Sequence, residues 1–347
     1  MHILITGAAG FIGQLVAKKL LDDESGAHTL ILTDIIEPPV PSGAKYPQNA
    51  KCIKADLNTQ SVLVADKNLD AAYVFHGIMS SGAEANFELG MKANFDATRA
   101  LLETFRVTCP GVRVIYASSQ AVYGSTATLP VTEAQLPLPE TSYGGEKMMC
   151  EYLINEYTRR GFINGITLRF PTVSVRPGKP TAAASSFLSG MIREPLNGIK
   201  CQIPLTDRNW RHWLCSPRVL VRNLVFALKL ERDALPIFDR SLNHPGIGVS
   251  LQDMRDSLSR VAGEDKLELL EEKDEPVLKK ILYSWPADFD NSRALALGFE
   301  RDTNFDRIVQ DYKEELETTK NNQTNGAVNH KVNGHVNVHV SEIAVAH

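Results

Sequence analysis

The feature that most constrains the fold of this chain is the run Gly7-Ala-Ala-Gly10-Phe11-Ile12-Gly13, placed directly after the apolar residues 3–6. Gly7 permits a tight turn, Gly10 lets backbone approach a pyrophosphate, and Gly13 allows the following helix to pack closely on the strand. A helix opening at Phe11 and Ile12 then offers free N–H groups and the positive end of its dipole to phosphate. A glycine triplet alone is a weak signal. Here a strand precedes it, a helix follows, and an acid comes at the right distance. That acid is Asp34, 21 residues beyond Gly13 at the end of the second apolar run. It is placed to bind both hydroxyls of an adenosine ribose and to repel a 2′-phosphate, which predicts NAD rather than NADP. The competing reading of Asp34 is a capping or turn aspartate.

Further cofactor contacts are expected along the same edge. Asp56-Leu57 follows the third apolar run, where a carboxylate would reach the adenine amine, although a surface turn explains it equally well. His76-Gly77 ends the fourth, beside the expected cofactor ribose, and a loop histidine satisfied within the protein is the alternative.

Strand candidates fall at residues 3–6, 29–33, 52–55, 72–75, 113–117 and 165–170, and helical patterns at 11–21, 84–108 and 142–160. The strands are rich in Val, Ile and Leu without strict alternation, as expected when both faces are buried. Strand–helix–strand repetition predicts an α/β fold, a doubly wound parallel sheet of the Rossmann type. After residue 170, Pro171, Pro177 and Pro180 punctuate a loop. Helical patterns at 182–193, 217–230, 251–261 and 305–317 then mix with short strands, predicting a smaller α+β substrate domain against the carboxyl ends of the sheet. The expected division is 1–175 for the cofactor, with later segments returning to it, and 176–317 mainly for the substrate. Residues 318–347 lack the apolar density to fold alone and read as a disordered tail. Its histidines (His330, His335, His339, His347) would bind metal only adventitiously, and the alternating stretch 335–340 could instead pair with a sheet edge.

Hydrophobic residues at 43% and charged residues at 22% provide for an ordinary core and exclude wholesale disorder. A net charge of −4 argues against a general nucleic-acid binder. No apolar run reaches the ~20 residues of a membrane span. An apolar strand beginning almost at the first residue leaves no room for a secretory leader. The five cysteines (Cys52, Cys109, Cys150, Cys201, Cys215) are odd in number and include no Cys-x-x-Cys pair. No metal site is therefore expected, and a soluble protein of the reducing cytoplasm fits.

The chemistry is expected from Tyr143-Gly-Gly-Glu-Lys147, whose spacing places Tyr143 and Lys147 on one helical face. A phenol titrates near ~10, and a neighbouring ammonium is expected to lower that value and make the pair a general acid/base. Lys147 can also hold a cofactor ribose hydroxyl, so the pair borders the cofactor as well as the substrate. Upstream, Val114-Ile-Tyr-Ala-Ser118-Ser119-Gln-Ala-Val-Tyr-Gly124 ends a strand with hydroxyls that can polarise a substrate oxygen. Ser119 is the first candidate for that contact and Ser118 the second, with strand-end capping as the alternative for either.

Together these residues resemble the extended short-chain dehydrogenase/reductase superfamily, the group of NAD-dependent nucleotide-sugar epimerases and dehydratases. The resemblance also runs through Leu168-Arg-Phe-Pro-Thr-Val-Ser-Val-Arg-Pro177 and Phe289-Asp-Asn-Ser-Arg-Ala-Leu-Ala-Leu-Gly298, and covers about residues 1–317. It implies Ser119, Tyr143 and Lys147 as a catalytic triad, and a homodimer built through the helices near 84–108 and 142–160. Where nucleotide-sugar epimerases carry Asn-x-Tyr-Gly-Pro, this chain reads Thr172-Val-Ser-Val-Arg-Pro177. The run from Val175 to Pro195, with Trp213-Leu-Cys-Ser-Pro-Arg218, is similar to the D-erythronate dehydrogenase branch, which oxidises a small sugar acid with NAD.

A carboxylate substrate needs a cation, and a guanidinium can bind one through two parallel hydrogen bonds. Arg176 is the first candidate, because it follows the strand end that faces the cofactor. Arg211, Lys179 and Arg193 follow, each readable as a surface or structural charge, with Ser186 and Ser189 as weaker contacts. The expected activity is oxidation of a hydroxyl on a small hydroxy acid in carbohydrate metabolism. A nucleotide-sugar epimerase or a carbonyl reductase of secondary metabolism is the alternative enzyme reading, and a non-catalytic NAD-sensing protein the alternative of another class.

Overall fold

The computed structural model describes the backbone of residues 1–180 and 183–332, with side chains described to residue 319. In chain order the strands are β1 (His2–Thr6), β2 (Thr29–Asp34), β3 (Ala50–Lys54), β4 (Ala71–Val74), β5 (Arg113–Ser119), β6 (Asn164–Phe170) and β7 (Thr172–Val173). There follow β8 (Cys201–Ile203), β9 (Arg211–Cys215), β10 (Ser241–Asn243), β11 (Ile247–Ser250) and β12 (Leu270–Glu272). Seven of them form one sheet in the order β10-β6-β5-β4-β1-β2-β3, and every neighbouring pair is parallel. This is the α/β, doubly wound Rossmann-type sheet that the alternating pattern predicts.

The apolar density of the strands has a direct cause. Ile3, Ile5, Leu30, Leu32, Tyr73 and Ile115 project to one face and share a core with the helices Phe11–Leu21 and Pro217–Ala227. Leu4, Ile31, Ala72, Val74 and Val114, the alternate residues, share a second core with Ala97–Thr108 and Ser142–Arg159. Period-two side chains thus feed two cores, so a strand has no polar face to show.

The strand order reverses between β1 and β4, and ligands of open α/β sheets bind in the crevice such a switch opens at the carboxyl ends. The second half adds a sheet in the order β11-β9-β7 and a β12-β8 pair, around a core that includes Leu188, Met191, Trp210, Met254 and Tyr312. Two later segments return to the main sheet: the helix Pro217–Ala227 and the edge strand β10.

One buried ion pair fastens the main sheet to the helix Ser142–Arg159. The Arg169 guanidinium on β6 donates to both Glu151 carboxylate oxygens at 2.7–3.1 Å. Glu151 also accepts from Ser118 at 2.5 Å and from Ser241 at 3.0 Å, which links β5, β6, β10 and the Ser142–Arg159 helix.

The C-terminal expectation needs correction. The last helix runs Phe305–Val332, so residues 318–332, read above as disordered, continue a helix expected to stop at 317. Phe305, Ile308, Val309 and Tyr312 anchor it in the core. Once that nucleus exists, each added residue brings a backbone hydrogen bond without a new nucleation cost. His335, His339, His347 and the alternating stretch 335–340 lie outside the described residues. No helix among those residues is long and apolar enough to cross a membrane.

Candidate active site

The glycine turn shows why two of its positions accept no side chain. Gly7 has φ +64°, and a Cβ there would lie 2.7 Å from the Phe75 carbonyl carbon and 2.8 Å from the His76 nitrogen, where the chain leaves β4. A Cβ on Gly13 would lie 2.5 Å from the Gly7 oxygen. Gly10 is exposed at the head of the Phe11–Leu21 helix, where a small residue leaves the N–H groups open. Phe11 packs into the core beneath, while Ile12 reaches the second cavity described below.

Asp34 leaves β2 and accepts from the Ala9 N–H at 3.0 Å and the Ile35 N–H at 2.7 Å, so its carboxylate lies against the glycine turn. It lines a cavity of about 280 Å³ with Gly7, Asp56, Leu57, His76 and Gly77. Asp56 caps the short helix Leu57–Gln60, accepting from the Asn58 N–H at 3.0 Å and its amide at 2.9 Å. Those bonds hold its carboxyl below the usual carboxylate range. Asp56 therefore has the turn role weighed from sequence and borders the cavity as well. His76 lies between the Thr6 and Thr98 hydroxyls at 2.9 and 3.2 Å. Burial, then the Lys147 charge, push it down to about 3, so it is a neutral loop histidine satisfied within the protein. Gly77 has φ +142°, and a Cβ would lie 2.3 Å from Asn94 Oδ1.

A second cavity, of about 180 Å³, brings together Ser119 from the end of β5, Tyr143 and Lys147 from the Ser142–Arg159 helix, and Arg176 from the segment after β7. Tyr143 stands in the first turn of the Ser142–Arg159 helix, which Thr141 caps by accepting from the Gly144 N–H at 3.2 Å. A Cβ on Gly144 would lie 2.1 Å from the Ala121 oxygen, so this glycine allows the helix to close onto the chain after β5. That approach puts the Tyr143 phenol in hydrogen-bond contact with Ser119. Ser119 also accepts from the Ala121 N–H at 3.1 Å, whereas Ser118 donates to buried Glu151. Geometry thus separates the two serines.

The electrostatics differ from expectation. Burial pushes the Tyr143 phenol up to about 12, against the opposing Ser119 bond and Arg176 charge. The Lys147 ammonium does not face the phenol oxygen. It donates to the Ala117 carbonyl at 2.9 Å and lies 4.8 and 5.6 Å from the Tyr116 and Tyr143 ring centroids. Burial pushes Lys147 down to about 8. Desolvation, which disfavours charge on both groups, outweighs the pairing that the sequence spacing suggests.

Arg176, just past β7, is partly buried and forms no ion pair with a carboxylate among the described residues. Its backbone is held on both sides: its N–H donates to Ser189 at 3.0 Å and its carbonyl accepts from Arg193 at 2.8 Å. Arg193 itself pairs with Glu194, and Lys179 is exposed.

Two substrate candidates fall elsewhere. Arg211 points outward from β9, donating to the Gly248 carbonyl at 2.8 Å with Asp253 at 3.9 Å. Strand side chains alternate, so the inward position belongs to His212. Ser186, buried at the start of the helix Ser186–Leu196, lines neither cavity; Ala183 and Ser185 do so in its place. Sequence reasoning missed Gln120, Thr172, Ser185 and Trp285, which line the reaction cavity. Gln120 carried a signal in directly following Ser119, and Thr172 and Ser185 lie within runs that carry the family resemblance, whereas Trp285 belongs to none of them. Among the described residues no group of three or more His, Cys, Asp or Glu is placed to hold a metal ion.

The chain is similar to known proteins over most of its length. Residues 3–232 match the model of the NAD dependent epimerase/dehydratase family. The D-erythronate dehydrogenase of Haemophilus influenzae is 39% identical over 90% of this chain and 99% of its own. That of Cupriavidus necator is 40% identical over 92% of this chain and all of its own. Among solved structures, the nucleoside-diphosphate-sugar epimerase from Agrobacterium tumefaciens superposes with a TM-score of 0.83 at 32% identity, covering 90% of this chain and 94% of that one. The glycine cradle, the parallel sheet and a family match over most of its length mean that this chain belongs to the NAD dependent epimerase/dehydratase family.

Proposed function

We propose that the protein oxidises a hydroxyl of a small, D-erythronate-like sugar acid with NAD. The observation that carries this reading is the Arg176 guanidinium, which shares the Ser119/Tyr143 cavity and is free of carboxylate pairing among the described residues. The two dehydrogenase relatives support the same substrate class.

The first cavity fits the cofactor, because Gly7 and Gly13 keep the backbone bare and Asp34 presents a carboxylate suited to an unphosphorylated ribose. Asp56, Leu57 and Gly77 line the same cavity, Gly10 heads the helix beside it, and Ile12 reaches the Ser119/Tyr143 cavity where the cofactor's reactive end would lie. Bound there, NAD would supply the acceptor for the hydride of the carbon bearing the reacting hydroxyl. Tyr143, as phenolate, takes the hydroxyl proton, Ser119 holds the substrate oxygen, and Arg176 holds the carboxylate. Lys147, still mostly protonated at neutral pH, adds positive charge beside the base and offers a donor to the cofactor ribose. Residues 1–175, with the segments that return to the main sheet, carry the cofactor, and the remainder to 317 mainly shapes the substrate side.

The test is NADH appearance with NAD and a panel of four- to six-carbon sugar acids. Arg176→Met is expected to lower kcat/KM for the acid by roughly 10–100-fold, the worth of a charge-assisted hydrogen bond, with NAD affinity retained. Absence of NADH with every acid, despite NAD binding, would overturn the reading; interconversion of a sugar nucleotide without net NADH would replace it with epimerisation.

The reading includes a cytoplasmic setting, supported by five free thiols, and a homodimer. Exposed Phe87, Leu89, Met149 and Tyr152 support the dimer, since they lie on helical segments that pack side by side. Sedimentation is expected to give twice the chain mass, and a monomer at micromolar concentration would count against this assembly.

A further inference from the structure

We propose that Gln120 and Thr172, with His212 behind them as a positioning residue, form a subsite that recognises a second hydroxyl of the substrate and selects polyhydroxy acids over their deoxy analogues. The inference rests on the sugar-acid reading and names what that site discriminates.

The wall concerned is buried and polar without need. His212 is fully buried, stacked on the Trp210 ring at 5.0 Å and tilted against the Trp285 ring at 5.8 Å. Gln120, Thr172 and Ser185 beside it are also buried, and all three line the reaction cavity. Burying polar groups costs free energy unless each is hydrogen-bonded, so packing alone would favour apolar residues here.

The hydrogen-bond count leaves room for a ligand. His212 Nε2 lies 2.7 Å from Thr172 Oγ1 and 3.0 Å from Gln120 Nε2, so two groups address one ring nitrogen. Thr172 Oγ1 lies 3.2 Å from Ser185 Oγ. Gln120 Oε1 and His212 Nδ1 are buried with no partner among the described residues. A threonine hydroxyl carries one proton and an amide carbonyl only accepts. With the Thr172 proton given to His212 Nε2, a substrate hydroxyl can donate its own proton to Gln120 Oε1 or to the Thr172 oxygen, both of which are left as acceptors.

Charge divides the labour. Burial pushes His212 down to about 3, so the imidazole is neutral and the wall carries no formal charge. A carboxylate is better served by Arg176, leaving the neutral wall to a hydroxyl. His212 touches Thr172 rather than the cavity, and so acts by orienting the threonine hydroxyl. A site built to bond a hydroxyl rejects the analogue lacking it strongly, because its buried polar groups are then left unpaired.

The experiment compares kcat/KM for D-erythronate with that for each deoxy analogue that keeps the reacting hydroxyl. The measured quantity is the ratio of the two, in wild type, Thr172→Val, Gln120→Leu, His212→Phe and His212→Gln. Wild type is expected to favour the polyhydroxy acid by about a hundredfold. Thr172→Val and Gln120→Leu are expected to lower the ratio about tenfold each, the worth of one hydrogen bond. His212→Phe keeps the ring stack and is expected to lower it too, with partial recovery in His212→Gln, which restores a polar group near Thr172. A merely structural role depresses both rates together and leaves the ratio in place. An unaltered ratio in Thr172→Val, with wild type oxidising D-erythronate, would overturn the subsite and leave the sugar-acid reading standing. If wild type oxidises no acid in the panel, both fall.

Discussion

Tyr143→Phe is expected to lower kcat by about 10²–10⁴-fold, the range for loss of a general acid/base, with NAD affinity close to wild type. The substitution removes one oxygen and keeps the ring beside Lys147, so the helix and the cofactor cavity keep their packing. The effect falls on proton transfer alone. Because burial pushes the phenol up to about 12, Tyr143 holds its proton at neutral pH in the free enzyme, and only the deprotonated form can accept one from the substrate. Oxidation by wild type is therefore expected to accelerate as pH rises from neutral into the alkaline range, read as kcat/KM against pH. The reverse reaction, in which the phenol donates its proton, should not gain from that rise. Turnover in Tyr143→Phe near the wild-type rate, or a profile for oxidation that falls with rising pH, would remove Tyr143 from the role of base.

Arg169→Met should produce the largest loss of stability, about 3–5 kcal/mol, the cost of leaving a buried charge without its partner. Glu151 would remain inside the protein, bonded only by the neutral Ser118 and Ser241 hydroxyls. Replacing both charges, as in Arg169→Met with Glu151→Leu, should recover much of that loss, because no buried charge then remains. Denaturant midpoints of the single and double variants test this. A loss in the single variant below about 1 kcal/mol, the value of an exposed pair, would mean that water reaches Glu151. The consequence extends to catalysis: Ser118 is engaged by this pair, and that engagement leaves Ser119 as the serine beside Tyr143.

Much of this architecture was legible in the chain itself. Apolar runs near residues 3–6 and 29–33 became β1 and β2 because a strand buried on both faces reads as a near-continuous apolar run, its buried Thr6 and Thr33 each hydrogen-bonded. Gly7 and Gly13 were legible for a related reason, since no other residue tolerates backbone passing within about 3 Å of its Cβ position. Tyr143 and Lys147 were found through local spacing on one helix. The edge strand β10 was not found: three residues, Ser-Leu-Asn, carry no periodicity, and they become a strand only because β6 offers a free edge. Arg211 was favoured as a cation near the expected substrate, but the strand's alternation turned it outward and His212 inward. Ser186 was named from sequence, whereas Ser185, one position earlier, lines the cavity, since the break at which the chain turns into the Ser186–Leu196 helix has no sequence mark.

By itself, the sequence determined the class of fold, the cofactor edge and the identity of the proposed base, because each rests on local constraints: strand burial, glycine conformation and helical spacing. Only the tertiary structure decided what the base experiences and what faces it. Desolvation depends on everything packed around a group, so the burial that raises Tyr143 and lowers Lys147 could not be read from their separation. The cavity wall of Gln120, Thr172 and Ser185, with His212 behind it, gathers residues up to 92 positions apart, and no local pattern records such a meeting.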